Sequence, residues 1–236
     1  MKQEVLLGDC LELMPNIADK SIDLILCDPP YQVTARQPWD VMIPLQPLWN
    51  NYRRIIKDNG TIALFATEPF RTKTIFHSMD IFKYDLIWEK NKTTGFLNAK
   101  KQPLRQHESI LIFYKNQSKY FPQKTTNHKP VNSYRHKDGD ISLVYGKTKE
   151  LKGGGSTERY PTSILKFNVV NNDSPDKYHS AQKPVELLEY LIKTYTLEND
   201  LVLDNCAGSG STLIASKNLN RQFIGIEKEK EYYDIA

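Results

Sequence analysis

Residues 22–27, IDLILC, form an apolar run that stops at once at Asp28-Pro29-Pro30. A run this short, ended by two prolines, reads as a strand buried on both faces of a parallel sheet. Such a strand needs helices above and below it and right-handed crossovers to its neighbours. The remainder of the chain supplies them. Residues 4–8, 61–66, Leu201–Asp204 and 223–226 read as further strands, and 84–88 and 109–113 as strand candidates rich in Ile and aromatics. Helices are expected over 10–17, over a segment ending at 52–57 with Asn59-Gly60 as its stop, over 184–195, and over Ser211–Asn218. In the third of these, Val185, Leu188, Leu191 and Ile192 fall at helical spacing behind Pro184. Residues 115–166 lack apolar periodicity and carry a triple glycine at 153–155, so they read as a loop-rich insertion. The expected fold is α/β: a mostly parallel twisted sheet flanked by helices, built from 1–114 and 167–236, with 115–166 inserted.

At 236 residues, 39% hydrophobic and 25% charged, the chain can bury one ordinary core. The net charge of +4 decides little, but its distribution is uneven. Residues 90–166 hold 16 Lys and Arg against 5 acids, a balance of +11, and the rest of the chain balances at −7. Cys10, Cys27 and Cys206 are scattered singly, which suits a reducing cytosol and argues against a disulfide framework or a structural zinc site. Cys27, ending a buried strand, reads as an inert packing thiol. His77, His107, His128, His136 and His179 show no ligand spacing, so no metal is expected. The apolar stretch at the N-terminus is interrupted by acids, and no run reaches membrane-spanning length, so neither secretion nor membrane insertion is expected.

Four patterns carry chemistry. In LVLDNCAGSGST, residues 201–212, an apolar strand enters a Gly-x-Gly turn and then a helix. Gly208 and Gly210 allow close backbone approach to a ligand, and the helix start offers free N–H groups. Leu213 replaces the third glycine of a dinucleotide fingerprint, which favours a smaller nucleoside ligand. By itself the stretch reads slightly better as a ligand-free βα turn. The next strand ends at Glu227, where a carboxylate can accept hydrogen bonds from both ribose hydroxyls. Asp28-Pro29-Pro30-Tyr31 places a carboxylate, a carbonyl and an aromatic ring on a stiff turn, a receptor for a flat ring bearing an NH2 group. The tetrapeptide alone also reads as a strand stop with a surface tyrosine. Lastly, Lys90, Lys92, Lys100, Lys101 and Arg105 lead into the insertion, where Tyr120, Phe121, Tyr134, Tyr145 and Tyr160 interleave with basic residues. This composition suits phosphate neutralisation and base contact, and equally a solvated surface.

Together, Leu7-Gly-Asp-Cys10, DPPY, QHESILIF at 106–113, HSAQKP at 179–184, DNCAGSGST and FIGIE resemble the S-adenosylmethionine-dependent amino-methyltransferases of DNA. The order, catalytic motif first and cofactor motif last, resembles the permuted beta class. The resemblance covers about two-thirds of the chain and leaves mainly the insertion unmatched.

The resemblance implies a Rossmann-like methyltransferase fold whose chain ends supply neighbouring strands around S-adenosylmethionine. Asp9 and Cys10 would meet its adenine, Glu227 its ribose, Asp204, Asn205, Cys206, Gly208 and Gly210 its methionine part, and Thr212 and Lys183 its carboxylate. Asp28, Pro29, Pro30 and Tyr31 would hold a base flipped out of duplex DNA. Asp28 leans toward adenine N6 over cytosine N4; a silent DNA-binding module of the same fold is the other alternative. The insertion would recognise the target, with Lys92, Lys100, Lys101, Arg105, Lys124, Lys129, Arg135, Lys137, Lys147 and Arg159 on DNA. The resemblance also leaves room for a homodimer and a partner restriction endonuclease in a bacterial or phage-encoded, cytoplasmic setting. Two departures stand out. Cys206 fills a position usually held by phenylalanine, which predicts thinner apolar packing against the cofactor, and the chain ends early in the helix expected after Glu227.

Overall fold

The computed structural model describes residues 2–32, 40–136, 141–142, 146–147, 151–171, 178 and 182–236. They form two compact units, Met1–Phe121 with Ser163–Ala236, and Pro122–Thr162. The first unit begins with β1 (Gln3–Leu7), helix α1 (Cys10–Leu13) and β2 (Ile22–Cys27). Next come α2 (Leu45–Ile55), β3 (Ile56–Ala66), α3 (Phe70–His77), β4 (Phe82–Thr94) and β5 (Arg105–Phe113). The second unit holds the short strands β6 (Tyr134–His136), β7 (Ile141–Ser142), β8 (Gly146–Lys147) and β9 (Leu151–Gly153), paired β6 with β9 and β7 with β8. The first unit then resumes with β10 (Ile164–Lys166), α4 (Val185–Tyr195), β11 (Leu201–Asp204), α5 (Ser211–Asn218), β12 (Gln222–Glu227) and α6 (Lys230–Ile235). Among the described residues no helix is long and apolar enough to cross a membrane.

The main sheet has the order β1-β12-β11-β2-β3-β5-β4-β10. Every pairing is parallel except those of β5 with β3 and β4, which gives the mostly parallel α/β sheet expected. The first and last strands of the chain lie side by side, Leu7 opposite Glu227, and β11 joins them to β2. All six residues of β2 are buried. Ile25 and Cys27 pack on one face with Trp49, Tyr52 and Phe70 of α2 and α3, while Leu24 and Leu26 pack on the other with Leu187, Leu188, Leu191 and Ile192 of α4. Residues of β3 and β5 alternate between the same two layers, so a strand apolar on both faces is what this position requires, Asp23 apart. Each fully buried Leu or Ile contributes about 1.5–3 kcal/mol.

Several elements differ from the sequence expectation, among them β4 and β5, which run beyond 84–88 and 109–113. Helix α1 is shorter, because Pro15 cannot donate to a helical ladder and the chain tightens into a 3-10 turn over Met14–Asn16. Asn59-Gly60 is not a helix stop but part of a bulge inside β3: Ile22 pairs with Ile56, yet Leu24 pairs with Thr61. A Cβ on Gly60 would stand 2.8 Å from the Ile56 side chain and 2.9 Å from the Asp23 carbonyl, so glycine permits the close approach. Residues 164–166, expected in the insertion, form β10 at the sheet edge, where Leu165 is buried.

Asp23 is a buried charge within the apolar run of β2. Its carboxylate accepts from Lys57 Nζ of β3 at 2.7 Å, Lys119 Nζ at 3.0 Å and the Leu201 N–H of β11 at 3.1 Å. Burial opposes ionisation, but these donors outweigh it and hold its pKa below the ordinary carboxylate value. The carboxylate therefore ties β2 to both neighbouring strands, and its stabilisation is lost as pH falls through the lowered pKa. Asp23→Asn should lower unfolding free energy at pH 7 by roughly 2–4 kcal/mol, since it leaves partners poorly matched. Urea denaturation at falling pH should show this deficit shrinking as the parent itself becomes protonated.

Candidate active site

The parallel strands β1, β2, β11 and β12 all end at the same edge of the sheet, and the turns beyond them wall one cavity of about 890 Å³. Ligands of open α/β sheets bind at such an edge. Of the residues singled out in the sequence, the cavity brings together Asp9, Cys10, Asp28, Pro29, Pro30, Tyr31, Lys183, Asp204, Asn205, Cys206, Gly208, Thr212 and Glu227. Gly210 stands behind this wall as the N-cap of α5, at φ +85° and packed against Ala236.

One half of the cavity is shaped for a nucleoside. The buried Glu227 carboxylate is fixed by two backbone N–H groups, from Gly208 at 2.7 Å and from Glu229 at 2.8 Å. Both oxygens retain a lone pair for a diol. Gly208 has φ +52°, and nothing occupies the space where a Cβ would stand, so its backbone is open to a ligand. Asp9 caps α1 by accepting from the Leu11 N–H at 2.9 Å, with Lys228 at 3.1 Å. Asn205 is held by the buried Tyr52 hydroxyl, which donates to its Oδ1 at 2.6 Å across 153 residues of sequence. No local pattern in the sequence signals Tyr52.

The thiols that the sequence scatters converge here. Cys10, Cys27 and Cys206 belong to one packed cluster, and Cys10 and Cys206 face the cavity. Burial pushes the Cys27 thiol up to about 11, in keeping with a packing role.

The other half of the cavity is built around Asp28. The Tyr31 hydroxyl donates to its Oδ1 and the Lys183 ammonium to its Oδ2. The Tyr31 ring is stacked on Phe70, with centroids 5.3 Å apart. Lys183 is buried, also lies 3.5 Å from Glu108, and has the Phe65 ring 5.1 Å away. Glu108 in turn pairs with Lys90, itself buried against Trp88. Two carboxylates and two ammonium groups therefore form one chain of contacts. Burial raises the pKa of Asp28, and Glu108 adds to this against the pull of Lys183. Burial opposes the charge on Lys183, but Asp28 and Glu108 outweigh it and raise its pKa. Burial likewise opposes ionisation of Glu108, yet Lys183 and Lys90 hold its pKa below the usual value. Lys90 was grouped with the basic surface zone on sequence grounds; the structure buries it as a partner of Glu108. Glu108 had no assigned role, although its place just before the apolar run 109–113 puts it at a strand entrance.

Lys92 and Arg105 stand on the cavity rim, and Lys100 and Lys101 are exposed in the β4–β5 turn. In the second unit, Lys124 pairs with Glu158 at 2.8 Å and lies over Tyr160, while Arg159 donates to backbone carbonyls including that of Lys129. Arg135 lies on β6 and the Lys147 backbone on β8. Lys137 lies outside the described residues.

The DNA methylase profile of the N6/N4 type matches residues 22–236. The type II methyltransferase M.BglII of Bacillus subtilis is 32% identical over 254 residues, covering 97% of this chain and 66% of that protein. M.HindIII of Haemophilus influenzae is 33% identical over 218 residues, covering 80% and 65%. The chain thus spans about two-thirds of the length of these relatives. Among solved structures, the M1.HpyAVI–SAM complex is similar at TM-score 0.65 and 25% identity, covering 99% of this chain and 97% of that one. The cytosine-N4-specific PvuII DNA methyltransferase shares the fold at TM-score 0.69 and 16% identity, covering 100% and 85%.

Asp204 carries a cost that can be measured. Burial pushes its pKa up to about 6, against hydrogen bonds from Thr212 and the Cys206 N–H. The native state thus binds a proton more tightly than the unfolded chain, and the destabilisation is complete above pH 6 and absent below about pH 4. Asp204→Asn should unfold at higher denaturant above pH 6, by at most about 3 kcal/mol, with the gap closing as pH falls toward 4.

Proposed function

The chain belongs to the N6/N4 DNA methylase family, and on that premise we propose that it methylates an exocyclic amine of a base in double-stranded DNA, with S-adenosylmethionine as donor and adenine N6 as the acceptor. The observation that carries this reading is the anchored Asp28, held from both sides by Tyr31 and Lys183 beside a nucleoside-shaped turn.

The residues fit the cofactor. Glu227 would take the ribose hydroxyls, Asp9 and Cys10 would border the adenine, and the open backbone at Gly208 with Asp204, Asn205 and Cys206 would border the methionine part. Gly210 shapes the start of α5, and Thr212 lies in its first turn. When bound, S-adenosylmethionine supplies a methyl group on a positively charged sulfur, already strongly electrophilic.

Activation therefore falls on the amine, whose lone pair is delocalised into the base. Asp28 and the Pro29 carbonyl accept its two N–H groups and draw the lone pair toward the methyl group, and fixed alignment contributes much of the acceleration. Pro29 and Pro30 stiffen the turn that holds these acceptors. Tyr31 orients the carboxylate and presents its ring to the base. Lys183 acts as a positioning residue that donates to Asp28 and opposes its protonation in a desolvated site, a role different from the cofactor contact implied by family resemblance. A duplex buries this amine, so the base must leave the stack, at about a few kcal/mol offset by contacts in the pocket.

Asp28 at the head of the tetrapeptide favours adenine; cytosine N4 is the competing product. The type II methyltransferase relatives are bacterial, which supports a cytoplasmic restriction-modification setting with a partner endonuclease, and the family resemblance extends this to a homodimer. The basic residues of Pro122–Thr162 serve in this reading to recognise the target.

Incubation with S-adenosylmethionine and mixed-sequence duplex DNA, digestion and mass spectrometry should yield N6-methyladenine. N4-methylcytosine alone would move the reading to the cytosine enzyme, and no cofactor binding at all would favour the silent module. Asp28→Ala should lower turnover by roughly a thousandfold or more while cofactor affinity, read by calorimetry, stays near that of the parent. Lys183→Met should shift the acid limb of the turnover profile to higher pH, because Asp28 loses the charge that opposes its protonation.

A further inference from the structure

Strands β4 and β5 extend beyond the apolar part of the sheet. Their pairing continues from Glu89 opposite His107 to Thr94 opposite Arg105, after an irregularity that places residues 90–93 against Gln106. The connecting turn opens at Gly95, with φ +89°, and forms a 3-10 turn over Phe96–Asn98. It is held internally by bonds from the Asn98 N–H to the Gly95 carbonyl and from the Lys101 and Gln102 N–H groups to the Asn98 carbonyl. At its tip Phe96 is 81% exposed and Leu97 97% exposed. Two adjacent large apolar side chains, fully presented on an internally bonded turn, are costly unless they meet a partner.

The surroundings identify that partner. Between Lys90 and His107 there is no acidic residue, and Lys92, Lys100, Lys101 and Arg105 flank the apolar tip. A second copy docked arm to arm would bring like charge to the same place, whereas a polyanion complements it. The root of the same arm walls the cavity through Lys92, Thr93, Thr94 and Arg105, so the tip rises from the rim of the site that takes the base. Apolar wedges flanked by cations are how proteins enter a base stack.

Resting on the methyltransferase reading above, we propose that this arm enters the duplex at the target base pair, Phe96 and Leu97 filling the space left in the stack by the flipped base while Lys100 and Lys101 hold neighbouring phosphates. The wedge holds the base out of the helix; the cavity performs the chemistry.

The test compares the parent, Phe96→Ala/Leu97→Ala and Lys100→Ala/Lys101→Ala in transfer of radiolabelled methyl groups. The target sequence is first mapped by sequencing methylated DNA from expressing cells. The substrates are an intact duplex and the same duplex with an abasic site opposite the target base, which is already unstacked. The apolar pair variant should lose roughly 10- to 100-fold in kcat/KM on the intact duplex and recover to within about threefold of the parent on the abasic duplex, with cofactor affinity unchanged. The lysine pair variant should lose activity on both substrates and show a shallower salt dependence. Parent-like activity of the apolar variant on intact duplex, an equal loss on both substrates, or a parental dimer that this variant converts to monomer in sedimentation would overturn the wedge alone. A parent that binds cofactor but methylates neither substrate overturns the methyltransferase reading, and the wedge with it.

Discussion

The burial of β2 on both faces is the constraint on which the other features depend, and it is tolerable because the carboxylates at its two ends are matched from elsewhere in the chain. Asp23, near the amino end, is met by β3, by Leu201 of β11 and by Lys119. Asp28, just past the carboxyl end, is met by Lys183 and Tyr31. An unmatched charge at either place would cost several kcal/mol, more than one buried leucine contributes. The two matches do different work. Asp23 is held below its ordinary pKa by partners that also join strands, whereas Asp28 is raised by burial despite its partner. One end of the strand is tied for stability, and the other holds the raised carboxylate that the proposed reading uses.

Much of this was legible in the residues, and the failures have common causes. Continuous apolar runs located β2, β11 and β12 within a residue or so, since a strand buried on both faces has no alternation to obscure it. The turns at Asp28–Tyr31 and at 204–212 were readable because proline and glycine restrict the backbone locally. What escaped was set by distance in sequence. Lys183 meets Asp28 across 155 residues, and Tyr52 meets Asn205 across 153. Periodicity carries no information about such pairs, so Lys183 was placed by resemblance and Tyr52 not at all. The three cysteines, read as isolated, touch because the permuted strand order brings the ends of β2 and β11 beside the start of α1. Asn59-Gly60 shows a different ambiguity: polar residues and a glycine signal a break, but the same letters serve a helix stop and a bulge.

The outer halves of β4 and β5 were missed for a third reason. Residues 91–94 and 105–107 are exposed beyond the core, so their composition is that of a surface loop, and only the backbone ladder reveals an arm. The uneven charge of the chain acquires a shape from this. The excess of basic residues begins at Lys90, where β4 leaves the core, and the arm carries it past the cavity rim.

The cavity itself is divided by charge. Asp9, Asp204, Glu227 and Glu229 outnumber Lys228 on the side formed by β1, β11 and β12, while Lys90, Lys92 and Arg105 outnumber Glu108 on the side formed by β4 and β5. A positively charged sulfonium donor is favoured on the first side and disfavoured on the second; a phosphate-bearing substrate shows the reverse preference. Asp28 and Lys183 lie at the seam, joined to each other and to Glu108. In the proposed reading each ligand is thereby directed to its own half by long-range electrostatics before any specific contact forms. The amine and the methyl group then meet at the boundary, where the matched pair leaves little net field. Raising Asp204 to about 6 is part of the same arrangement. Burial disfavours the charge on Asp204, so a cation beside it would be attracted there, and in the proposed reading the sulfonium donor is that cation.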